Sequence, residues 1–209
     1  GVQTCALPIS VDTSVEPQTC KSKGPAVEFP KRPLERAIQE AWVSVDFNGC
    51  ANVAKAGDVE VPEIHPYNQA ALRDFLSATV DHGVRVGITS YIGVGGPRSQ
   101  ERRASLTKTV REFNASAIDP RCKIGVRIVS GRADKGQFLR EAGACIHVDD
   151  RLDTLDGVWQ EAPNITTFWC TNRPHNRNHQ VVRSLAQALD TIRSQRIPAT
   201  LHQRPFESF

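Results

Sequence analysis

The stretch Trp42-Val-Ser-Val-Asp46-Phe-Asn48-Gly49-Cys-Ala-Asn52 decides how the fold is read. A short apolar run passes directly into a carboxylate, an amide and a glycine. A buried parallel strand that ends in Asp46 delivers an acidic group to the carboxyl edge of a sheet, where open α/β folds bind ligands. On this stretch alone Asp46 reads equally well as the first residue of a turn. The residues downstream separate the two readings.

After this strand, residues 49–64 contain Gly57 and Pro62 and no sustained period, which predicts a long loop. Residues 66–82 carry Leu72, Phe75, Leu76 and Val80 on one helical stripe, and Gly83 supplies the stop. A strand at 84–91 is followed by a helix at 99–114, with Leu106, Val110 and Phe113 inward. The alternation continues with a strand at 123–129, a helix at 134–142, a strand at 145–148, a helix at 151–161 and a strand at 166–170. A helix at 178–193 closes it, with Val181, Val182, Leu185, Leu189 and Ile192 on one face. Such alternation demands right-handed crossovers and a sheet covered on both faces. The expectation is an α/β, Rossmann-like three-layer sandwich with a mostly parallel sheet of about five strands and no large cap domain.

The strand at 145–148 leads into Asp149-Asp150, and Asp153 follows one helical turn later, so a second acidic cluster leaves the same type of edge as Asp46. Asp149 or Asp150 could cap the helix beginning at Arg151. Two strand-terminal acidic groups in one sheet point instead to a site, and hard oxygen ligands of this kind suit a partly hydrated Mg2+ ion. Between them lie Thr89-Ser90, closing the second strand, and Lys135, opening the helix after the third. A hydroxyl with adjacent backbone amides and an ammonium group would hold a phosphate beside the metal.

Taken in order, Asp46-Phe47-Asn48-Gly49, Thr89-Ser90, Lys135 and Asp149-Asp150-x-x-Asp153, each after its own strand, resemble the four motifs of the haloacid dehalogenase (HAD) superfamily. The resemblance spans residues 42–170. It implies bound magnesium and, most often, phosphohydrolase chemistry in which the leading carboxylate of the first motif attacks phosphorus to give an aspartyl-phosphate. Carried onto this chain, Asp46 is nucleophile and metal ligand, Asn48 offers its backbone carbonyl to the metal, and Asp149 completes the protein ligands. Asp150 and Asp153 support the metal shell. Thr89, with Ser90, binds the phosphoryl group, and Lys135 offsets charge, with Arg132 as the alternative cation.

The chain departs from this pattern at Asn48. Phosphatases of the superfamily usually place a second Asp two residues after the nucleophile, to protonate the leaving oxygen and then activate water. An amide does neither, so the expectation is weak or lost phosphatase activity, with a catalytically silent binding module as the alternative. Cys50-Ala51-Asn52 is a second departure, since a Thr commonly sits near there. The 49–64 loop and the 93–123 segment are too short for a full cap. By resemblance the site is open, and its substrate is a phosphorylated small molecule or macromolecule.

Composition bounds the rest. The 209 residues carry a formal net charge of +3 and no apolar run long enough to cross a membrane. The basic excess sits at Arg173, Arg177, Arg183, Arg193, Arg196 and Arg204. We read it as a solvated helix face in preference to a nucleic-acid surface. Six cysteines without a Cys-x-x-Cys pair read as reduced core thiols of an intracellular, cytoplasmic protein. Cys170, His175 and His179 are of zinc-ligand type but lack a second thiol and a fourth partner. Gly93-Val94-Gly95-Gly96 lacks dinucleotide spacing and reads as a turn. Residues 1–10 read as the translation of a sequencing adapter, 11–33 as a tail or linker, 34–198 as the HAD-like domain opening on a short helix at 34–41, and 199–209 as a second tail. With no methionine anywhere, the chain reads as a piece of a longer frame.

Overall fold

A computed structural model describes residues 42–174 and 178–194. The adapter, tail and short-helix assignments of residues 1–41, the tail at 199–209, and His175, Arg177, Arg196 and Arg204 lie outside the described residues. Among the described residues eleven strands and α-helices follow one another, strand and helix alternating up to the fifth strand. They are β1 (Trp42–Val45), α1 (Pro66–Thr79), β2 (Arg85–Tyr91), α2 (Pro97–Ala115), β3 (Ile124–Val129), α3 (Ala133–Glu141), β4 (Ala144–Asp149), α4 (Leu152–Glu161), β5 (Thr166–Cys170), β6 (Gln180–Val182) and α5 (Leu185–Ser194). The strands form one all-parallel sheet in the order β3-β2-β1-β4-β5-β6.

The sheet therefore has six strands, one more than expected. The sixth arises inside the helix predicted at 178–193, where Phe168, Trp169 and Cys170 pair with Gln180, Val181 and Val182. Three residues are too few for a period to reveal a strand, and β-branched Val181 and Val182 fit either state. The helix starts at Leu185 because Ser184 Oγ accepts the Gln187 amide hydrogen at 3.1 Å, a side-chain cap at its amino end.

Helix α1 packs on α5, and Arg73 of α1 reaches the Phe113 carbonyl of α2 at 2.9 Å, so these three helices share one face. Helices α3 and α4 pack together on the other. Between the first group and the sheet lies the main core, with Val43, Ile88, Leu72, Phe75, Phe168 and Leu189 among its most buried members. A smaller cluster of Leu139, Ala144, Val158, Ala162 and Ile165 sits on the second face, flanked by half-buried Trp42 and Phe138. The described cysteines, Cys50, Cys122, Cys145 and Cys170, are free and buried, and behave as small apolar residues. Among the described residues no domain is inserted after β1 or β2, and no helix is long and apolar enough to cross a membrane.

The order of the strands fixes where a site can form. Leaving β1, the chain moves to β2 and β3 on one side, then returns to β4 and β5 on the other. Beyond the carboxyl ends of β1 and β4 the connections diverge and leave a crevice.

Candidate active site

Asp46 follows β1 and is tied to β4 by its own amide, which donates to the Val148 carbonyl at 2.8 Å. Asp149 ends β4, and Asp150 follows it. Ligand-capable oxygens of Asp46, Asp149 and Asp150 lie within 4.8 Å of one another. Asp46 and Asp149 are nearly inaccessible, at 6% and 1% exposed. Two buried carboxylates this close repel unless a cation is shared, and Lys135 supplies one. Its Nζ donates to Asp46 Oδ1 at 2.6 Å and to Asp149 Oδ2 at 2.7 Å.

Charge is divided unequally across this cluster. Burial pushes the Asp149 carboxyl up, but Lys135 and a hydrogen bond from His147 outweigh it and hold the group well below the usual carboxylate range. Asp46 has only Lys135 to offset burial and two neighbouring carboxylates, and it is raised to about 7. Burial and Asp149 together raise Asp150 to about 6. Burial opposes the Lys135 ammonium, yet Asp46 and Asp149 lift it above the usual lysine range. The cluster thus holds more negative charge than one ammonium neutralises, and its oxygen donors fit a hard divalent cation such as Mg2+.

A buried polar chain extends from Asp149 beneath the crevice. His147 Nε2 is 3.1 Å from Asp149 Oδ2, and His147 Nδ1 is 3.1 Å from Ser44 Oγ. Burial lowers the His147 pKa, so the ring is neutral near pH 7. A carboxylate only accepts, so Nε2 carries the hydrogen and Nδ1 accepts from Ser44. The Ser44 and Thr89 hydroxyls are themselves in hydrogen-bond contact at 2.9 Å. Val45 pairs with Ile88, so the next step of the register sets Thr89 level with Asp46. Ser90 is fully buried and its Oγ has no partner among the described residues.

The turn after Asp46 is shaped by Gly49 and Asn52. Gly49 has φ of 69°, and a Cβ there would lie 2.5 Å from Asp150 Oδ2, so only glycine lets the two strand-end loops touch. Asn52 Oδ1 accepts the Gly49 amide hydrogen at 2.8 Å, and Asn52 Nδ2 donates to the Val61 carbonyl at 3.2 Å. Asn68, in the first turn of α1, donates to the carbonyls of Cys50 (3.0 Å), Ala51 (3.1 Å) and Val53 (2.6 Å). Asn48 is exposed and lines an open groove with Phe47, Asn52, Glu60, Ile92 and Arg102.

The structure thus brings Asp46, Lys135, Asp149 and Asp150 together and sets Thr89 beside them through Ser44. Asp153 lies apart from the carboxylate cluster. In the first turn of α4, its half-exposed carboxylate takes hydrogen bonds from Arg151 Nε (3.1 Å), Arg151 Nη2 (2.8 Å) and Arg132 Nη1 (3.4 Å). Arg132 is accordingly spent on Asp153 and on the Tyr91 ring, 5.5 Å from its centroid, and Lys135 is the cation that enters the cluster. His179, considered above with Cys170, uses Nδ1 on Thr167 Oγ1 (2.6 Å) and Nε2 on Asp156 Oδ1 (3.0 Å), so both ring nitrogens are engaged structurally. Sequence reasoning missed Ser44, His147 and Asn68. The i, i+2 spacing of His147 and Asp149 on a strand was the available signal for the second.

No protein-family model matches the chain, and a search of curated proteins returns no match. Solved structures do match. A D,D-heptose 1,7-bisphosphate phosphatase from B. bronchiseptica, complexed with magnesium and phosphate, superposes with a TM-score of 0.51 at 12% identity, covering 74% of this chain and 99% of that one. The two chains share an α/β, Rossmann-like fold. The heptose bisphosphate phosphatase of Burkholderia thailandensis gives a TM-score of 0.49 at 12% identity, over 74% and 99% of the two chains. The 3-deoxy-D-manno-octulosonate 8-phosphate phosphatase of Moraxella catarrhalis gives 0.44 at 14% identity, over 78% and 91%. At 12% identity the first of these likenesses speaks for the fold alone, and the chemistry has to be argued from the residues of this chain.

Proposed function

We propose that this chain is a magnesium-dependent, phosphohydrolase-type domain whose turnover is weakened by Asn48. The observation that carries the reading is the cluster of buried Asp46 and Asp149 with half-buried Asp150, with oxygens within 4.8 Å of one another at the point where the sheet connections diverge. Asp46, the Asn48 carbonyl, Asp149 and Asp150 would hold the ion. When bound, the ion supplies positive charge that draws a phosphoryl group toward the carboxylates and stabilises the charge of the transition state.

The remaining roles belong to the protein's own groups. Asp46 carries the nucleophilic oxygen, and Lys135 steers it while offsetting charge on the phosphoryl oxygens. Ser90, whose hydroxyl has no partner among the described residues, supplies a donor for those oxygens, and Thr89, level with Asp46, would turn its hydroxyl hydrogen from Ser44 to them when they bind. His147 and Ser44 hold Asp149 and Thr89 in place from beneath. Asp153 acts through its hold on Arg151 and Arg132 rather than as a ligand. At position 48 nothing protonates the leaving oxygen or activates water against an aspartyl-phosphate. A phosphorylated small molecule is the substrate class supported by the similar proteins, which are phosphatases of phosphorylated sugars by name. An open groove beside Asn48 leaves room for a macromolecular phosphoester as well.

Titration calorimetry with Mg2+ tests the metal assignment. Binding is expected for the wild type, together with a rise in Tm, and Asp149→Asn should abolish both. A well-folded wild type that binds no Mg2+ removes the assignment. The second reading, a catalytically silent binding module, is favoured by Asn48 and predicts Mg2+ binding without hydrolysis even after Asn48→Asp.

A further inference from the structure

Beside Asn48 lies a groove of about 590 Å³ between the loop that follows β1 and helix α2. Its floor is apolar, made by buried Phe47, Ile92 and Leu106. Arg102, Ser105 and Leu106 stand at i, i+3 and i+4 on α2, so one helical face supplies a cation, a hydroxyl and part of that floor. Arg103 instead donates to the Ile92 carbonyl at 2.7 Å and fixes the chain leaving β2 against α2. On the loop wall, Glu60 Oε2 accepts from Asn52 Nδ2 at 3.3 Å. Arg102 is exposed and has no carboxylate partner among the described residues.

We propose that this groove takes the leaving group of the substrate, and that the substrate is a small aryl phosphate whose ring carries a carboxylate. This substrate class rests on the proposed phosphohydrolase chemistry, with Asp46 as nucleophile. An aliphatic alcohol is about as weak an acid as water, with a pKa of about 16, and has to be protonated as it leaves, whereas a phenol has a pKa of about 10 and departs as its anion. Asn48, two residues past the nucleophile and exposed in the groove, cannot transfer a proton, but its amide hydrogens can donate to a phenoxide oxygen. In the transfer an Asp46 carboxylate oxygen bonds to phosphorus and the bond from phosphorus to the aryl oxygen breaks. That oxygen keeps the electron pair and takes its proton from water afterwards. The floor selects in the same direction, because Phe47, Ile92 and Leu106 offer apolar surface to a ring and no partners for the hydroxyls of a polyol. The planar guanidinium of Arg102 matches a carboxylate on that ring, and the charge of Glu60 on the other wall turns it toward α2.

Titration calorimetry of the full chain with non-hydrolysable phosphonates tests the groove independently of turnover. With Mg2+ present, benzylphosphonate should bind on the order of tenfold more tightly than propylphosphonate, and para-carboxybenzylphosphonate on the order of tenfold more tightly again. Arg102→Gln should abolish the second step, and Arg102→Lys should keep part of it. Ser105→Glu, an exposed position one turn further on α2, should reverse that step by repelling the ring carboxylate. Hydrolysis gives a second readout. Asn48→Asp should raise kcat/KM less for phenyl phosphate than for glycerol phosphate, because the phenoxide leaves without the added acid. A wild type that binds Mg2+ and inorganic phosphate but takes the three phosphonates alike overturns the aryl assignment and leaves the phosphohydrolase reading standing. So does an equal gain from Asn48→Asp on both esters. Absence of Mg2+-dependent phosphate binding removes both. A capped phosphotyrosyl peptide that binds more tightly than para-carboxybenzylphosphonate overturns the small-molecule assignment and gives the groove to a protein side chain.

Discussion

Asn48 is the residue on which activity turns. Replacing it by Asp adds one carboxylate to the groove beside Asp46 and changes the side-chain volume little. Asn48→Asp should raise Mg2+-dependent hydrolysis of a phosphate monoester by on the order of a hundredfold in kcat/KM, the scale of general acid-base catalysis, measured by phosphate release. Wild-type activity should show first on esters with good leaving groups, which need less protonation. Lys135 makes the opposite case, of a residue whose loss exposes a cost. Lys135→Ala leaves Asp46 and Asp149 buried without their shared cation, and removing one partner of a buried ion pair typically costs about 3–5 kcal/mol. Urea unfolding in the presence of a chelator should show a loss of that order, and saturating Mg2+ should recover part of it. An unchanged midpoint would mean that the carboxylates protonate and need no lysine.

At the scale of elements, the site is made by two strand ends and the loops that leave them. The loop after β1 contains no regular structure between its first tight turn and α1, yet most of it is not free. Asn52 ties its start to Val61, and Asn68 ties Cys50, Ala51 and Val53 to α1. Gly49 then allows the turn to lie against Asp150. Gly49→Ala puts a methyl group where the Asp150 carboxylate stands and forces a left-handed φ on a residue that disfavours it. The expected result is Mg2+ affinity weakened at least about tenfold in calorimetry, with a lower Tm, while β-sheet content by circular dichroism is retained. Unaltered affinity would show that Asp150 contributes nothing to the ion.

At the scale of the whole molecule, the buried acidic centre sets how stability follows pH. In the folded protein Asp46 keeps its proton up to about 7, whereas the unfolded chain releases it near 3.8. The folded state therefore binds more protons through this window, and the Asp46 contribution to stability falls as pH rises from about 4 to about 7. Asp150, raised to about 6, has the same sign. Asp149 is opposite, since its depressed pKa contributes stability above the unfolded value that is lost as pH falls below it. Without metal, the Tm advantage of Asp46→Asn over the wild type should grow between pH 5 and 8, as followed by differential scanning calorimetry. The Mg2+-induced rise in wild-type Tm should grow over the same interval, because the ion competes with the proton for Asp46. A pH-independent difference would show that Asp46 is ionised throughout.

The alternation of strands and helices, the parallel sheet and the carboxyl-edge position of Asp46 and Asp149 follow from local pattern alone. Periods of two and 3.6 residues record which face each segment buries, and a βαβ unit has one favoured hand. Boundaries of α1 and β5 were legible for the same reason, down to the Gly83 stop, whereas three-residue β6 was too short to show a period. Which groups meet was settled only by tertiary structure. Lys135 reaches Asp46 across 89 residues of chain, and His147 reaches Ser44 across 103, through strand neighbours that no local window contains. Asp153 has the residue type and spacing of a ligand, but the turn of α4 hands its carboxylate to Arg151 and Arg132 instead. Composition and period report burial, which each segment carries within itself. Shared charge depends on distances between segments, and those exist only once the sheet has assembled.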